Sequence, residues 1–279
     1  MDHAAVPYFF YALGILLREG LEAMLVIVAL ATGTRGLDGP DRSRDVYAGA
    51  VVGVLASVAI AYVVNHLIGD DATDTIEGLF QFFAAATLFY VSSWLTSKNQ
   101  ANRWNKFISD KVESARRSAM PALALGATAF LAVIREGGET IVFFQALAAG
   151  ATEAVERNAI FAGIVAAAAL LMLAFRVLSK AAYRMPLGPF FSATSILLYT
   201  LAVVFVGQGV GSLQEATVLP ATFVDYVPQI PAIGLFPTIE SIGAQFALVM
   251  LAAAALVAPR AAARRLRVAG QGRQAARPT

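Results

Sequence analysis

Residues 16–24 read LLREGLEAM, and residues 133–141 read VIREGGETI. Each sets an arginine and two glutamates into a stretch that is otherwise almost entirely apolar. The second follows the first by 117 positions, so that Arg18 matches Arg135, Glu19 matches Glu136 and Glu22 matches Glu139. A charge at the centre of a bilayer costs at least about 2.5–3.5 kcal/mol on insertion scales. A greasy chain that buries this set twice needs a reason.

The composition makes the bilayer the relevant solvent. The 279 residues are 58% apolar and 14% charged, with a mean hydropathy of +0.67, where ordinary soluble domains carry about 25% charged residues. Such a chain belongs to the membrane class. It has no cysteine, which excludes disulfides, thiolate metal sites and cysteine nucleophiles. His3 and His66 are too few for a histidine-rich metal site. No basic stretch precedes the first apolar run, so a true span, not a cleaved signal peptide, is expected there.

A helix needs about 20 apolar residues to cross the hydrocarbon core. On that rule seven transmembrane helices are expected, near 7–32, 46–68, 76–96, 121–149, 158–179, 187–209 and 241–259. The length of the first and fourth points to tilt or a local break. The seventh carries no charge from Ser241 to Ala258 and reads as a packing helix. Tyr90, Trp94 and Trp104 read as anchors at the membrane edges, and Met24 as a packing residue.

Loop charge gives the direction. Residues 97–120 hold six basic side chains against Asp110 and Glu113, and residues 260–279 hold six arginines and no acid. The alternate loops are acidic, with Asp70, Asp71 and Asp74 in one, and Glu153 and Glu156 against Arg157 in another. The 210–240 segment carries only Glu215, Asp225 and Glu240. Positive charge stays in the cytoplasm. The C-terminus is therefore expected inside, and the N-terminus of this multi-pass protein outside. In the first cytoplasmic loop, Arg35, Arg42 and Arg44 are balanced by Asp38, Asp41 and Asp45. Residues 1–270 read as one membrane domain. The basic, disordered tail 271–279 reads as a topology anchor with the bilayer as partner, and no nucleic-acid partner is expected.

The duplication reaches beyond the charged motif. YAGAVVG from Tyr47 matches FAGIVAA from Phe161, and Glu77-Gly78-Leu79-Phe80 matches Leu187-Gly188-Pro189-Phe190, at offsets of 114 and 110. Two three-helix repeats, about 7–96 and 121–209, then precede the C-terminal helix. A unit of three spans forces the second copy to enter from the opposite side, which makes the repeats inverted. That is a transporter architecture with its site at the repeat interface near the midplane.

Residues three and four apart share a helix face. Glu19 and Glu22 therefore point together with Arg18 beside Glu22, and Glu136 and Glu139 do the same with Arg135 beside Glu139. Four carboxylates and two arginines, net −2, are expected at the interface. Carboxylate oxygens suit hard cations. The arginines hold the carboxylates ionised and separated until a cation displaces them. The bland reading, two Arg–Glu bridges as interhelical glue, uses only two of the four glutamates. An anion site would want the opposite net charge. Further out, Asp70, Asp71, Asp74 and Glu77 read either as a cation-attracting vestibule or as solvated acids capping a helix. Gln214 and Glu215, in GVGSLQEATVLP, read as part of a lid-like or re-entrant element or as an exposed turn.

The two R-E-G-x-E motifs, Arg18–Glu22 and Arg135–Glu139, resemble those of the oxidase-dependent iron permeases, the FTR1/EfeU family. The Leu213-Gln214-Glu215-Ala216 stretch resembles that family too, and the likeness covers nearly the whole chain. It implies high-affinity iron import across the cytoplasmic membrane, with Glu19, Glu22, Glu136 and Glu139 handling iron (Fe3+ or Fe2+) as substrate and Arg18 and Arg135 as their partners. No enzymatic activity and no permanently bound cofactor are expected. Family members work with an extracytoplasmic oxidase or iron-binding protein, here expected to be a separate chain. Some relatives are associated with lead, so a lead or other divalent metal permease is the alternative, as is an iron-binding membrane sensor or assembly subunit. The second motif departs from the first in having Gly138 where Leu21 stands.

Overall fold

Inside a bilayer no water satisfies peptide groups, so apolar segments must close their hydrogen bonds internally as helices. The computed structural model describes residues 5–35, 42–68, 74–95, 110, 113–114, 118, 120–180 and 187–254. Its helices are α1 (Ala5–Arg35), α2 (Ser43–Ile68), α3 (Asp74–Leu95), α4 (Pro121–Ala149), α5 (Ala154–Lys180), α6 (Leu187–Glu215) and α7 (Ile239–Ala254). A short 3-10 turn, Pro231–Ile233, precedes α7. Pro121 opens α4, where its missing N–H is no loss. Asp45, Asp74 with Glu77, and Glu156 stand in the first turns of α2, α3 and α5, where they complement the helix dipole.

Four helices are long and apolar enough to cross a membrane: Ser43–His66, Asp74–Ser92, Ala154–Arg176 and Ser195–Glu215. Helices α1 and α4 have the length, but each carries its arginine and two glutamates mid-helix. The described part of α7 is apolar but shorter. Large apolar side chains face outward, among them Leu55 and Tyr62 on α2, Phe161 and Met172 on α5, and Phe246 on α7. In water that surface would be prohibitive, whereas in lipid it is ordinary. The chain is an all-α, polytopic membrane protein.

The helices pair by exchange between halves. Helix α1 packs on α5 and α2 on α4, while α1 meets α4 and α3 meets α6. Swapping the first three helices for the next three turns the α1–α5 pair into α4–α2 and leaves the other two pairs in place. Backbone contacts repeat in the same way. Gly49 of α2 lies against the Gly126 carbonyl of α4, and Gly163 of α5 against the Phe9 carbonyl of α1. These contacts are related by 114 and 117 positions, the offsets of the sequence repeat. Any side chain at Gly49 or Gly163 would collide with backbone, so the helices touch where glycine permits.

Two apolar clusters bracket the motifs. The larger gathers Tyr8, Ile15, Leu88, Phe143, Leu147, Leu198 and Phe205 from α1, α3, α4 and α6, with Ala232 of the 3-10 turn inserted. The smaller comprises Val26, Leu30, Ala31, Val46, Leu125 and Ala129 of α1, α2 and α4. Residues 18–22 and 135–139 lie between them along α1 and α4.

The expected 187–209 span runs on to Glu215, which corrects the placement of Gln214 and Glu215. They end a helix rather than sit in a loop. Glycines that read as loop signals are contact points: a Cβ on Gly209 would meet the Phe82 ring, and one on Gly211 the Phe236 ring. Beyond α6 the chain forms an ordered cap. Gln208 Nε2 donates to the Pro231 carbonyl (2.9 Å), and Gln245 Nε2 to those of Val203 and Ile233. Glu240 accepts from the Thr222 N–H and hydroxyl (3.1 and 2.7 Å) and from Gln214 Nε2 (3.3 Å).

Candidate metal centre

Helix α1 carries Arg18 into the interior, where its side chain is 2% exposed. It pairs with Glu19 and, one turn on, with Glu22 at 2.8 Å. On α4, Arg135 pairs with Glu139 at 3.3 Å and lies 3.8 Å from Glu136, but its side chain is 70% exposed. The two motifs repeat in sequence and differ in setting. Gly20 and Gly137, at the same place in each, seat different neighbours: Leu171 of α5 presses on Gly20 and Ser57 of α2 on Gly137. Gly138 has nothing within 4 Å of where a Cβ would lie.

Across the α1–α4 contact, one carboxylate oxygen from each of Glu19, Glu22 and Glu136 lies within 4.8 Å of the other two. Oxygens sharing one hard cation at bonds of roughly 2.1–2.5 Å stand about 3–5 Å apart, from adjacent to opposed, so the triangle is of the size that can close on such an ion. Glu19 Oε2, Glu136 Oε2 and Arg18 Nε are buried without a hydrogen-bond partner among the described residues. Unpaired buried polar atoms are costly, and their gathering here singles out the cluster as the candidate site. Glu139 is held by Arg135 and stands outside the triangle, within electrostatic range of all three members. The structure thus gathers three of the four sequence candidates, with Glu139 beside them.

The described outer candidates do not join the triangle. Asp74 is exposed and Glu77 half-buried at the start of α3, and Glu215 on α6 lies near them. Asp70 and Asp71 lie outside the described residues. Gln214 spends its amide on the Pro220 carbonyl, Glu240 and Thr238, which makes it a clasp for the cap. Sequence reading passed over Gln81, which accepts from the Ser212 hydroxyl at 3.1 Å, and read Glu156 as a loop acid where it accepts the Glu153 N–H as a helix cap at 3.0 Å. Tyr8 donates to the Gly150 carbonyl. Single polar residues in apolar helices have no periodicity to reveal them.

Fold and site together define a class: polytopic membrane proteins with a buried carboxylate cluster shared between two related halves. The sequence profile of the iron permease FTR1 family matches residues 2–120 and again 105–220. The chain belongs to that family. It is 30% identical over 245 residues to the iron permease EfeU of Bacillus subtilis, covering 86% of this chain and 50% of that protein. An uncharacterized protein of Archaeoglobus fulgidus is 30% identical over 205 residues, covering 72% of this chain and 69% of its own. The ferrous iron permease EfeU of Yersinia pestis is 29% identical over 137 residues, 47% of this chain and 48% of that protein. The chain thus spans about half the length of the Bacillus relative. No solved structure matches it significantly.

Proposed function

We propose that this chain is an iron permease, importing iron across the cytoplasmic membrane through a site made by Glu19, Glu22 and Glu136, with Glu139 as a further carboxylate. The observation that carries this is the convergence of three carboxylates from two halves of one duplicated chain, in a family of iron permeases. Arg18 and Arg135 neutralise the carboxylates when no metal is present and yield to an incoming cation. The acidic run Asp70, Asp71, Asp74 and Glu77, whose last two members open α3 with Glu215 near Glu77, raises the local cation concentration at the outer mouth. Oxidation, where needed, falls to a separate extracytoplasmic oxidase or iron-binding protein.

Seven spans in two inverted repeats, N-terminus outside and C-terminus cytoplasmic, complete the reading, and alternating access is the mechanism. The burial of the two arginines supports it. Helix side chains lean toward their own N-terminus, so Arg18 leans toward the larger apolar cluster and Arg135 away from it. One is sealed while the other is open, as expected when a site is closed on one side at a time.

Purified protein in liposomes should accumulate radioactive iron. Metal binding without accumulation would overturn transport in favour of a sensor or assembly subunit, and accumulation of lead in preference to iron would reassign the substrate. A reporter fused after Arg267 should read cytoplasmic and one placed within residues 221–232 external. Both on the same side would overturn the seven-span arrangement.

A further inference from the structure

The Ser57 hydroxyl sits in the middle of α2, within the aliphatic run 48–61, and is buried without a hydrogen-bond partner among the described residues. Helical hydroxyls in lipid ordinarily bond back to a carbonyl of the preceding turn. Thr87, Thr128, Thr140 and Thr200 of this chain do so, at 2.7–3.0 Å. Ser57 instead presses on Gly137, between Glu136 and Glu139 in sequence, so closely that any side chain at Gly137 would overlap it. The equivalent place in the other half, against Gly20, is filled by Leu171. The two halves therefore flank the motif glycines with one apolar side chain and one hydroxyl. That hydroxyl is left unspent at the glycine that follows Glu136, whose Oε2 is also without a hydrogen-bond partner among the described residues.

We propose that the Ser57 hydroxyl is the neutral oxygen that completes the metal site on the α2 side, directly or through one bound water, and biases it toward hard cations. This rests on the carboxylate site proposed above. An alcohol oxygen is hard and uncharged, so it adds a ligand without adding to the net −2 of the four glutamates and two arginines. Gly137 is what allows it to approach, and a larger residue there would push α2 away. A packing role alone would make Ser57 replaceable by any small side chain.

Equilibrium dialysis of the purified full chain against ferrous iron and, separately, cadmium tests this in the native protein, Ser57→Ala, Ser57→Cys and Glu19→Gln. Losing a partner of this kind typically weakens metal binding by about 10-fold, and Ser57→Ala should do so at an unchanged melting temperature. Ser57→Cys puts a soft sulfur in place of the oxygen, as the chain's sole thiol. It should lose iron affinity and gain cadmium affinity, a reversal that packing cannot produce. Iron binding equal to native in both serine variants, with Glu19→Gln defective, would overturn the role of Ser57 and leave the carboxylate site standing. Native-like iron binding by Glu19→Gln, or no iron binding by the native protein, would overturn the site itself.

Discussion

Glu19→Gln, Glu22→Gln and Glu136→Gln should each reduce iron uptake to the background of cells lacking the protein, with membrane abundance near normal. The substitution keeps shape and hydrogen bonding and removes one of three oxygen anions within 4.8 Å of one another. A hard cation loses charge and a ligand together, and the remaining amide is a poor substitute. Glu→Asp at the same positions also lowers uptake, because the oxygen retreats by one methylene. Glu139→Gln retains a measurable fraction, since Glu139 faces Arg135 and stands outside the triangle. Uptake and protein level measured on the same cells separate a lost site from lost folding. Wild-type uptake in both Glu19→Gln and Glu136→Gln would overturn the site.

The second large effect is on stability and is unequal between the motifs. Arg18→Ala strands Glu19 and Glu22 in the interior without their counter-charge. Breaking a buried pair by removing one partner costs about 3–5 kcal/mol. Arg135 is 70% exposed and its pairs with Glu139 and Glu136 are longer, at 3.3 and 3.8 Å, so Arg135→Ala should cost the fold less than Arg18→Ala. Unfolding of the two variants in mixed detergent micelles, followed by circular dichroism, should differ clearly. Equal losses would mean that the two arginines are equally sealed, contrary to their 2% and 70% exposures.

Much of the architecture was legible in the chain because hydropathy and charge are local. Helices α2 and α5 are runs of Val, Ala, Ile and Leu that have no alternative in lipid, and the Arg–Glu pairs follow from a four-residue spacing. What sequence left open depends on neighbours. Whether Arg18 or Arg135 is sealed is decided by the core packed beyond each motif. Gln214 reads as a site residue until Thr238, Pro220 and Glu240, distant in sequence, are seen to occupy it. Sequence reading ends α6 at 209, short of Glu215, because GVGSLQE reads as a turn until Phe236 is seen to fill the space beside Gly211. Ser57 carries no pattern at all, and only its lack of a partner distinguishes it.

The cross-pairing of halves bears on how the protein is made. Helix α1 is synthesised before α4, α5 and α6, yet its glutamates meet their counterpart on α4, and its Gly20 and Gly14 are covered by Leu171 of α5 and Leu197 of α6. Until those later segments are synthesised, α1 must reside at the translocation machinery or the lipid boundary with Arg18, Glu19 and Glu22 paired only with one another and a net negative charge left over, a burden at mid-bilayer. Helix α2 likewise awaits Gly126 of α4. Neither half is a finished unit at its own release. Assembly therefore has an obligatory late step, and the biogenesis of this protein is set by the arrival of its second half.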